Sequence, residues 1–157
     1  METLARTSTC RHTTLRLETQ HPTQFIDVTD DVTALTQQWR IHTGLVNVQG
    51  LHTTTAVVVN EHDPLLLADV AALLERVVPQ DGFYQHDNVS LRTANCVLGE
   101  RPNGHSHCRS LLLAPSVTLN IAEGRLQLGR WQRIFLVELD GPRARDVSIL
   151  AIGESEQ

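Results

Sequence analysis

The stretch WQRIFLVELDGPR, from Trp131 to Arg143, sets the fold prediction. Its apolar centre and its Gly-Pro turn predict a strand over Trp131–Asp140. Strand side chains alternate, so one face carries Gln132, Ile134, Leu136, Glu138 and Asp140. The two acids at the end of this face could raise one another's pKa and supply a general acid or base. The alternative is a polar sheet end that Arg143 or Arg145 caps.

Two principal helices are predicted before this strand. The first begins near Thr29-Asp30-Asp31 and ends before Gly44, and the second begins at Asp63-Pro64 and runs to Val78. An aperiodic loop from Gln80 to Gly104 follows, and a loop of that length is often functional.

Strands account for most of the remaining chain, together with one short helix over Ser106–Leu113. Alternating or continuous apolar residues predict these strands at Thr13–Glu18, Phe25–Val28, Leu45–Val48, Thr53–Asn60, Ser116–Ile121, Arg125–Leu128 and Arg145–Ile152. The prediction is a strand-rich α+β fold in a single domain over residues 1–157.

Composition excludes several classes of function. A net charge of -5 argues against nucleic acid as the main partner, because phosphate backbones need a basic surface. No apolar run approaches the ~20 residues of a membrane span, and the N-terminus lacks the apolar region of a signal peptide, so a cytoplasmic protein is expected. The three cysteines form no CxxC pair, which argues against a disulfide framework. All thirteen basic residues are arginines, which excludes a lysine Schiff base.

Histidine is the most conspicuous residue with chemical potential, with eight in the chain. His52 opens a strand, His86 lies in the long loop, and His105 and His107 begin the short helix. Three neutral imidazoles from separate elements could hold a catalytic zinc ion with one open position. The alternative is a cluster of uncoordinated histidines that act as hydrogen-bonding or acid–base groups. Ser106 and the amides after Gly104 could bind an anion at a helix N-terminus.

The chain resembles the YjbQ-like family over essentially its full length. The block GRLQLGRWQ at residues 124–132 is the most specific part of this resemblance. Arg130 departs from the family pattern, which usually has threonine before the tryptophan. The other matching residues are His52-Thr53-Thr54-Thr55-Ala56, Asn60-Glu61, Asp63-Pro64, Tyr84, His86-Asp87, Asn103, Ser106-His107, Glu138 and Asp140-Gly141-Pro142-Arg143.

The resemblance implies a mainly antiparallel β-sandwich that assembles as a homotrimer, with clefts near subunit boundaries. It makes His52, His86 and His107 the candidate ligands of a divalent metal, most simply zinc. His52, His107, Glu138 and Arg143 become the candidate catalytic residues, with Arg143 neutralising developing charge. Ser106, Trp131, Gln132 and Asp140 become candidate ligand-binding residues.

The resemblance also implies a secondary thiamine-phosphate synthase activity, which couples a pyrimidine diphosphate to a thiazole phosphate. The favoured interpretation is an enzyme acting on a small phosphate- or pyrophosphate-bearing substrate. The second is a non-catalytic trimer that binds a metal or a metabolite, and the third is a purely structural trimer.

Overall fold

The computed structural model describes residues 6–97 and 99–156. These residues form an α+β fold in which two antiparallel sheets pack face to face. The strands are β1 (Arg6–Glu18), β2 (Gln24–Asp27), β3 (Ile41–Gly50), β4 (Thr55–Glu61), β5 (Ser116–Ala122), β6 (Arg125–Leu126), β7 (Gln132–Glu138) and β8 (Ala144–Glu156). The helices are α1 (Thr29–Gln38), α2 (Pro64–Val77), α3 (Gly104–Leu112) and a 3-10 turn at Gln85–Asp87. The α+β class and the antiparallel pairing predicted from the sequence are confirmed.

The larger sheet has the order β1-β8-β3-β5-β6, and the smaller sheet has the order β2-β7-β4. Strand β7 lies at the centre of the smaller sheet and is buried on both faces. Ile134 and Leu136 face the larger sheet, whereas Phe135 and Val137 pack in a second core with Leu74 of α2. This double burial explains why the centre of β7 is continuously apolar.

The second helix begins as predicted. The Asp63 side chain accepts a hydrogen bond from the Leu66 amide at 2.8 Å, and Pro64 occupies the first helical position. No helix in the described part of the chain is long and apolar enough to cross a membrane.

The end of α1 differs from the prediction. The helix ends at Gln38, and Arg40 takes the left-handed backbone conformation that Gly44 was expected to supply. Gly44 instead lies within β3, where a Cβ atom would come within 2.2 Å of the Ile152 carbonyl oxygen. Glycine is needed there for the close approach of two strands and not for a helix stop.

Strand ends converge at one end of the sandwich. Thr55 at the start of β4 pairs with Glu138 at the end of β7, and Gly50 at the end of β3 pairs with Val147 of β8. The segments that follow β3 and β7 therefore lie side by side, and α3 begins next to them.

Candidate functional site

A cleft of about 530 Å³ opens where β3 ends, between residues 49–53 and α3. An adjoining part of about 300 Å³ shares His52 and His107 and adds Asn103, Arg143 and Arg145 to the walls. We call the two parts together the His52 cleft. It brings together three of the four predicted catalytic residues: His52, His107 and Arg143.

The protonation of His52 is set by the backbone. Its Nε2 accepts a hydrogen bond from the Asp146 amide at 2.9 Å, so the proton of the neutral ring resides on Nδ1. Burial, together with the nearby positive charge of Arg145, lowers the pKa of His52 from its ordinary value. His52 is therefore a neutral donor through Nδ1, and its Nε2 is not available to a metal ion in this arrangement.

His107 and His86 form a second pair of rings, with centroids 4.5 Å apart. Burial, followed by the proximity of His86, lowers the pKa of His107, which is neutral at physiological pH. The Nε2 atom of His86 is buried and has no hydrogen-bond partner among the described residues.

The three predicted metal ligands do not form a ligand set in this structure. Within residues 6–97 and 99–156, no three histidine, cysteine, aspartate or glutamate side chains are grouped so that they could hold a metal ion. His86 and His107 are adjacent, but His52 is engaged through Nε2 with the Asp146 amide.

Glu138 is completely buried beneath the cleft, and all of its contacts are internal. Its Oε1 accepts hydrogen bonds from three successive amides, those of residues 139–141, at 2.9 to 3.1 Å, and Arg145 binds both carboxylate oxygens. Thr19 donates a further hydrogen bond to Oε2 at 2.9 Å. Burial alone would raise the pKa of Glu138, but the hydrogen bonds from Arg145 and the amides outweigh it and lower the pKa.

These contacts revise the role predicted for Glu138. An ionised carboxylate that already accepts six hydrogen bonds is poorly suited to act as a general base. Its contacts instead fix the turn after β7 and hold Arg145 in the wall of the cleft. Glu138 is a positioning residue.

The turn after β7 presents Arg143 to the cleft. Its Nη2 atom lies 2.6 Å from Asp140 Oδ2, while 41% of the Arg143 side chain remains exposed. Arg101 Nε lies 3.5 Å from the other oxygen of Asp140, so two guanidinium groups share one buried carboxylate. Gly141, with φ of +138°, forms the turn. Asp140 thus supports Arg143, and its Oδ1 has no hydrogen-bond partner among the described residues.

Asn103 lines the cleft next to Arg143 and contacts Asp140. Its Nδ2 donates to Asp140 Oδ2 at 3.2 Å, and only 5% of the residue is exposed. The Oδ1 atom of Asn103 is buried without a hydrogen-bond partner in the described part of the chain. A buried amide oxygen of this kind is completed by a water molecule or by a donor group of a ligand.

The anion site predicted around Ser106 is not available. The Asp87 carboxylate accepts hydrogen bonds from the Asn103 and Gly104 amides at 2.9 and 2.8 Å, and it therefore occupies the start of α3. Ser106 is completely buried and donates its hydroxyl to the Leu139 carbonyl at 2.7 Å. Ser106 fastens α3 to the end of β7 and does not face the cleft.

Trp131 and Gln132 lie away from the cleft, at the opposite end of β7. The strand is seven residues long, so its two ends lie about 20 Å apart at ~3.3 Å per residue. Gln132 accepts a hydrogen bond from the Gly129 amide at 2.7 Å. Trp131 is 61% exposed, with the Arg130 guanidinium 4.6 Å from its ring centroid. A single chain does not bring these two residues to the His52 cleft.

Sequence reasoning missed Arg145 as a site residue and treated it only as a cap for the acids. Its side chain is 2% exposed, and it binds Glu138 and the Thr54 hydroxyl. Alternation along β8 could have found it, because Arg145 lies on the same face as the buried residues Val147 and Ile149. A buried arginine requires a partner for its charge, and here that partner is Glu138.

Comparison with other proteins identifies the family. Residues 13–154 match the family described as UPF0047 protein YjbQ-like. A UPF0047 protein of Methanothermobacter thermautotrophicus is 35% identical over 89% of this chain and 90% of its own. One from Archaeoglobus fulgidus is 37% identical over 88% of this chain and 98% of its own.

Solved structures of similar proteins share the fold of this chain. The crystal structure of a YbjQ-like protein of unknown function from Sulfolobus solfataricus has a TM-score of 0.84 and 26% identity, covering 94% of this chain and 99% of that chain. The structure of a hypothetical protein from Aeropyrum pernix has a TM-score of 0.80 and 32% identity, with 91% and 98% coverage. The sequence match and the shared fold together establish that the chain belongs to the UPF0047, YjbQ-like family.

Proposed function

We propose that the His52 cleft binds the phosphate or pyrophosphate group of a small molecule and that the chain is an enzyme acting on it. The observation that carries this proposal is the exposed guanidinium of Arg143, which its carboxylate partner does not fully neutralise. Arg143 and Arg145 line the cleft together with Glu100, and Arg145 is paired with the buried Glu138, whereas Arg143 shares Asp140 with Arg101 and keeps an exposed guanidinium. Guanidinium groups bind phosphate oxygens through charge-assisted hydrogen bonds.

The two neutral histidines add complementary chemistry. His52 offers an N–H donor from Nδ1, which can bind a phosphate oxygen without a change of charge. His107 has a lowered pKa and is the group best placed to accept or return a proton. Asn103 Oδ1 can receive a donor from the uncharged part of the same ligand.

The concrete reaction is thiamine-phosphate synthesis, which the family resemblance suggests as a secondary activity. Coupling a pyrimidine diphosphate to a thiazole phosphate releases pyrophosphate, and negative charge develops on that leaving group. Arg143, held by Asp140 in a partly buried setting, would stabilise this charge. The physiological substrate would share the leaving group and not necessarily the two heterocycles.

Binding of inorganic pyrophosphate, measured by titration calorimetry, tests the site. We expect Arg143→Gln to weaken binding at least tenfold, whereas Arg76→Gln, an exposed arginine of α2, should leave it unchanged. Equal affinity in both variants would overturn the proposal. Product formation from the two thiamine precursors then separates an enzyme from the non-catalytic alternative, which predicts tight binding without turnover.

A homotrimer would bring Trp131 and Gln132 into this function. Both residues lie at the far end of β7 in their own chain, so they could contact the ligand only from a second copy. The exposed Trp131 ring supports this arrangement, because large exposed aromatic side chains are enriched at protein interfaces. Sedimentation equilibrium tests the trimer directly.

Metal binding is the second candidate, and it rests on the adjacent rings of His86 and His107. The Nε2 of His86 is buried, has no hydrogen-bond partner among the described residues, and could coordinate zinc. His52 could join only after releasing the Asp146 amide. Elemental analysis of untagged protein and of His107→Ala tests this candidate. About one zinc per chain, lost in the variant, would support it, whereas no zinc even after its addition would exclude it.

A further inference from the structure

A second cavity, of about 420 Å³, lies at the other end of β3 from the His52 cleft. Strand β3 runs from Ile41 to Gly50, so the two openings are separated by about 30 Å at ~3.3 Å per residue. The cavity is formed where α1 ends against β1 and the last strand. Its lining residues are Arg11, His12, Gln38, Trp39, Arg40 and Ser155.

The lining of this cavity is positively charged. None of its six residues is a carboxylate, and two of them are arginines. Within the part of the chain that the structure describes, neither the Arg11 nor the Arg40 guanidinium takes part in an ion pair. Within the described residues, this concave site therefore holds two arginines that have no ion-pair partner. Such a site attracts a small anion.

The backbone at Arg40 provides a second, independent observation. Arg40 has φ of +52°, the left-handed conformation that glycine adopts without strain at the end of a helix. Its amide caps α1 by donating to the Gln37 carbonyl at 3.0 Å. Any residue with an amide could make that bond, so the helix end does not require the guanidinium. Such residues can mark functional sites, and Arg40 shares its positive φ with Thr23, Asn95 and Glu123.

The other lining groups indicate what is attached to the anion. The Trp39 indole is half-buried against the main core and offers a rigid flat surface to the cavity. Gln38 offers an amide that can donate and accept. The volume is in the range of small-molecule sites. We propose that this cavity is a second ligand site, which binds a phosphorylated compound bearing a flat heterocycle, such as a mononucleotide.

Adenosine 5′-monophosphate is the probe, titrated at low salt with tryptophan fluorescence as the readout. The protein carries Trp131→Phe, so that only Trp39 reports, and Arg143→Gln, so that the His52 cleft does not contribute. We expect saturable quenching that weakens at least tenfold in Arg40→Gly and in Arg11→Gln. Arg16→Gln, which changes an arginine of β1 outside the cavity, should bind like the parent.

Arg40→Gly also separates a binding role from a structural one. Glycine relieves the left-handed strain, so its melting temperature should rise while binding falls. A parent protein that shows no saturation at millimolar concentrations would overturn the proposal. Unchanged affinity in Arg40→Gly and Arg11→Gln would do the same. Adenosine and inorganic phosphate, titrated separately, should each bind more weakly than the intact nucleotide. Failure of the His52 cleft to bind pyrophosphate would not affect any of these outcomes.

Discussion

Asp27 connects the smaller sheet to the start of α1 and to a cationic partner. Its carboxylate accepts hydrogen bonds from the Thr29 amide at 2.9 Å and from Arg133 Nε at 2.7 Å, and it lies 2.9 Å from His62 Nδ1. Burial would raise the pKa of Asp27, but the hydrogen bonds from Arg133 and Thr29 outweigh it and lower the pKa to about 2.

This depressed pKa predicts a loss of stability in acid. A group with a folded pKa below its unfolded value contributes stability that is fully present above the unfolded pKa, near 3.8, and is lost as the pH falls towards 2. Asp27→Asn should therefore lower the free energy of unfolding by roughly 2 kcal/mol at pH 7, and this deficit should shrink between pH 4 and pH 2.

Urea unfolding of the wild type and the variant at several pH values measures the effect. Asp30→Asn is the matched control, because Asp30 also pairs with Arg133 but is 89% exposed and should contribute little. Parallel stability curves for the wild type and Asp27→Asn would contradict the prediction.

At the same scale, the sequence predicted the positions of some residues in and beneath the cleft better than their contacts. Glu138 lies at the end of β7 and Arg143 in the turn that follows, because alternation along β7 and the Gly141 turn fix their positions. Their roles depend on partners that are distant in sequence, such as Thr19, and no local pattern shows that Thr19 lies beside Glu138. The saturation of Glu138 therefore could not be predicted.

The pairing of β3 with β8 depends on two glycines that face each other. Gly44 pairs with Gly153, and a Cβ on either residue would come within 2.4 Å of a backbone oxygen of the other strand: 2.2 Å for Gly44 and 2.3 Å for Gly153. Neither contact can be relieved by moving a side chain. The two strands can therefore approach closely only where both residues lack a side chain.

Gly44→Ala should destabilise the protein by about 1–3 kcal/mol or more, because the strands would have to separate. Gly124→Ala is an informative control: Gly124 has φ of +71° and no atom within 4 Å of its added Cβ, so only backbone strain of about 1–2 kcal/mol is expected. Thermal and urea unfolding measure the loss of stability in both variants. A smaller loss for Gly44→Ala than for Gly124→Ala would show that the close strand approach is not required.

The elements that the sequence predicted best have local signals. Helix α2 has a cap, a proline and an apolar stripe, and it was predicted almost to the residue. Strand β1 begins seven residues before the predicted Thr13. The sequence did not predict this first part of the strand, because Arg6–His12 is polar and lacks alternation. It is an edge strand that is held mainly by backbone pairing with β8, and this long-range contact leaves no pattern in the segment itself.

On the scale of the whole molecule, the sandwich divides the predicted site between its two ends. His52, His107 and Arg143 meet at one end, whereas Trp131 and Gln132 lie at the other. The strand predicted over Trp131–Asp140 already implied this separation, but grouping the residues by chemistry ignored the length of that strand. A composite site between copies of the chain remains a prediction, and it can be tested with two defective variants.

Trp131→Ala removes the exposed ring but leaves the His52 cleft intact. Arg143→Gln removes a guanidinium from the cleft but leaves the Trp131 ring in place. If each cleft is completed by a neighbouring copy, both variants should bind pyrophosphate weakly alone. After denaturation and refolding together in equal amounts, random assembly should restore roughly one site in four, because a cleft with Arg143 must meet a neighbour with Trp131. Calorimetric stoichiometry counts these sites, and each variant refolded alone is the control. A mixture that binds no better than its components would mean that each cleft functions within one chain, and Trp131 would then have no part in it.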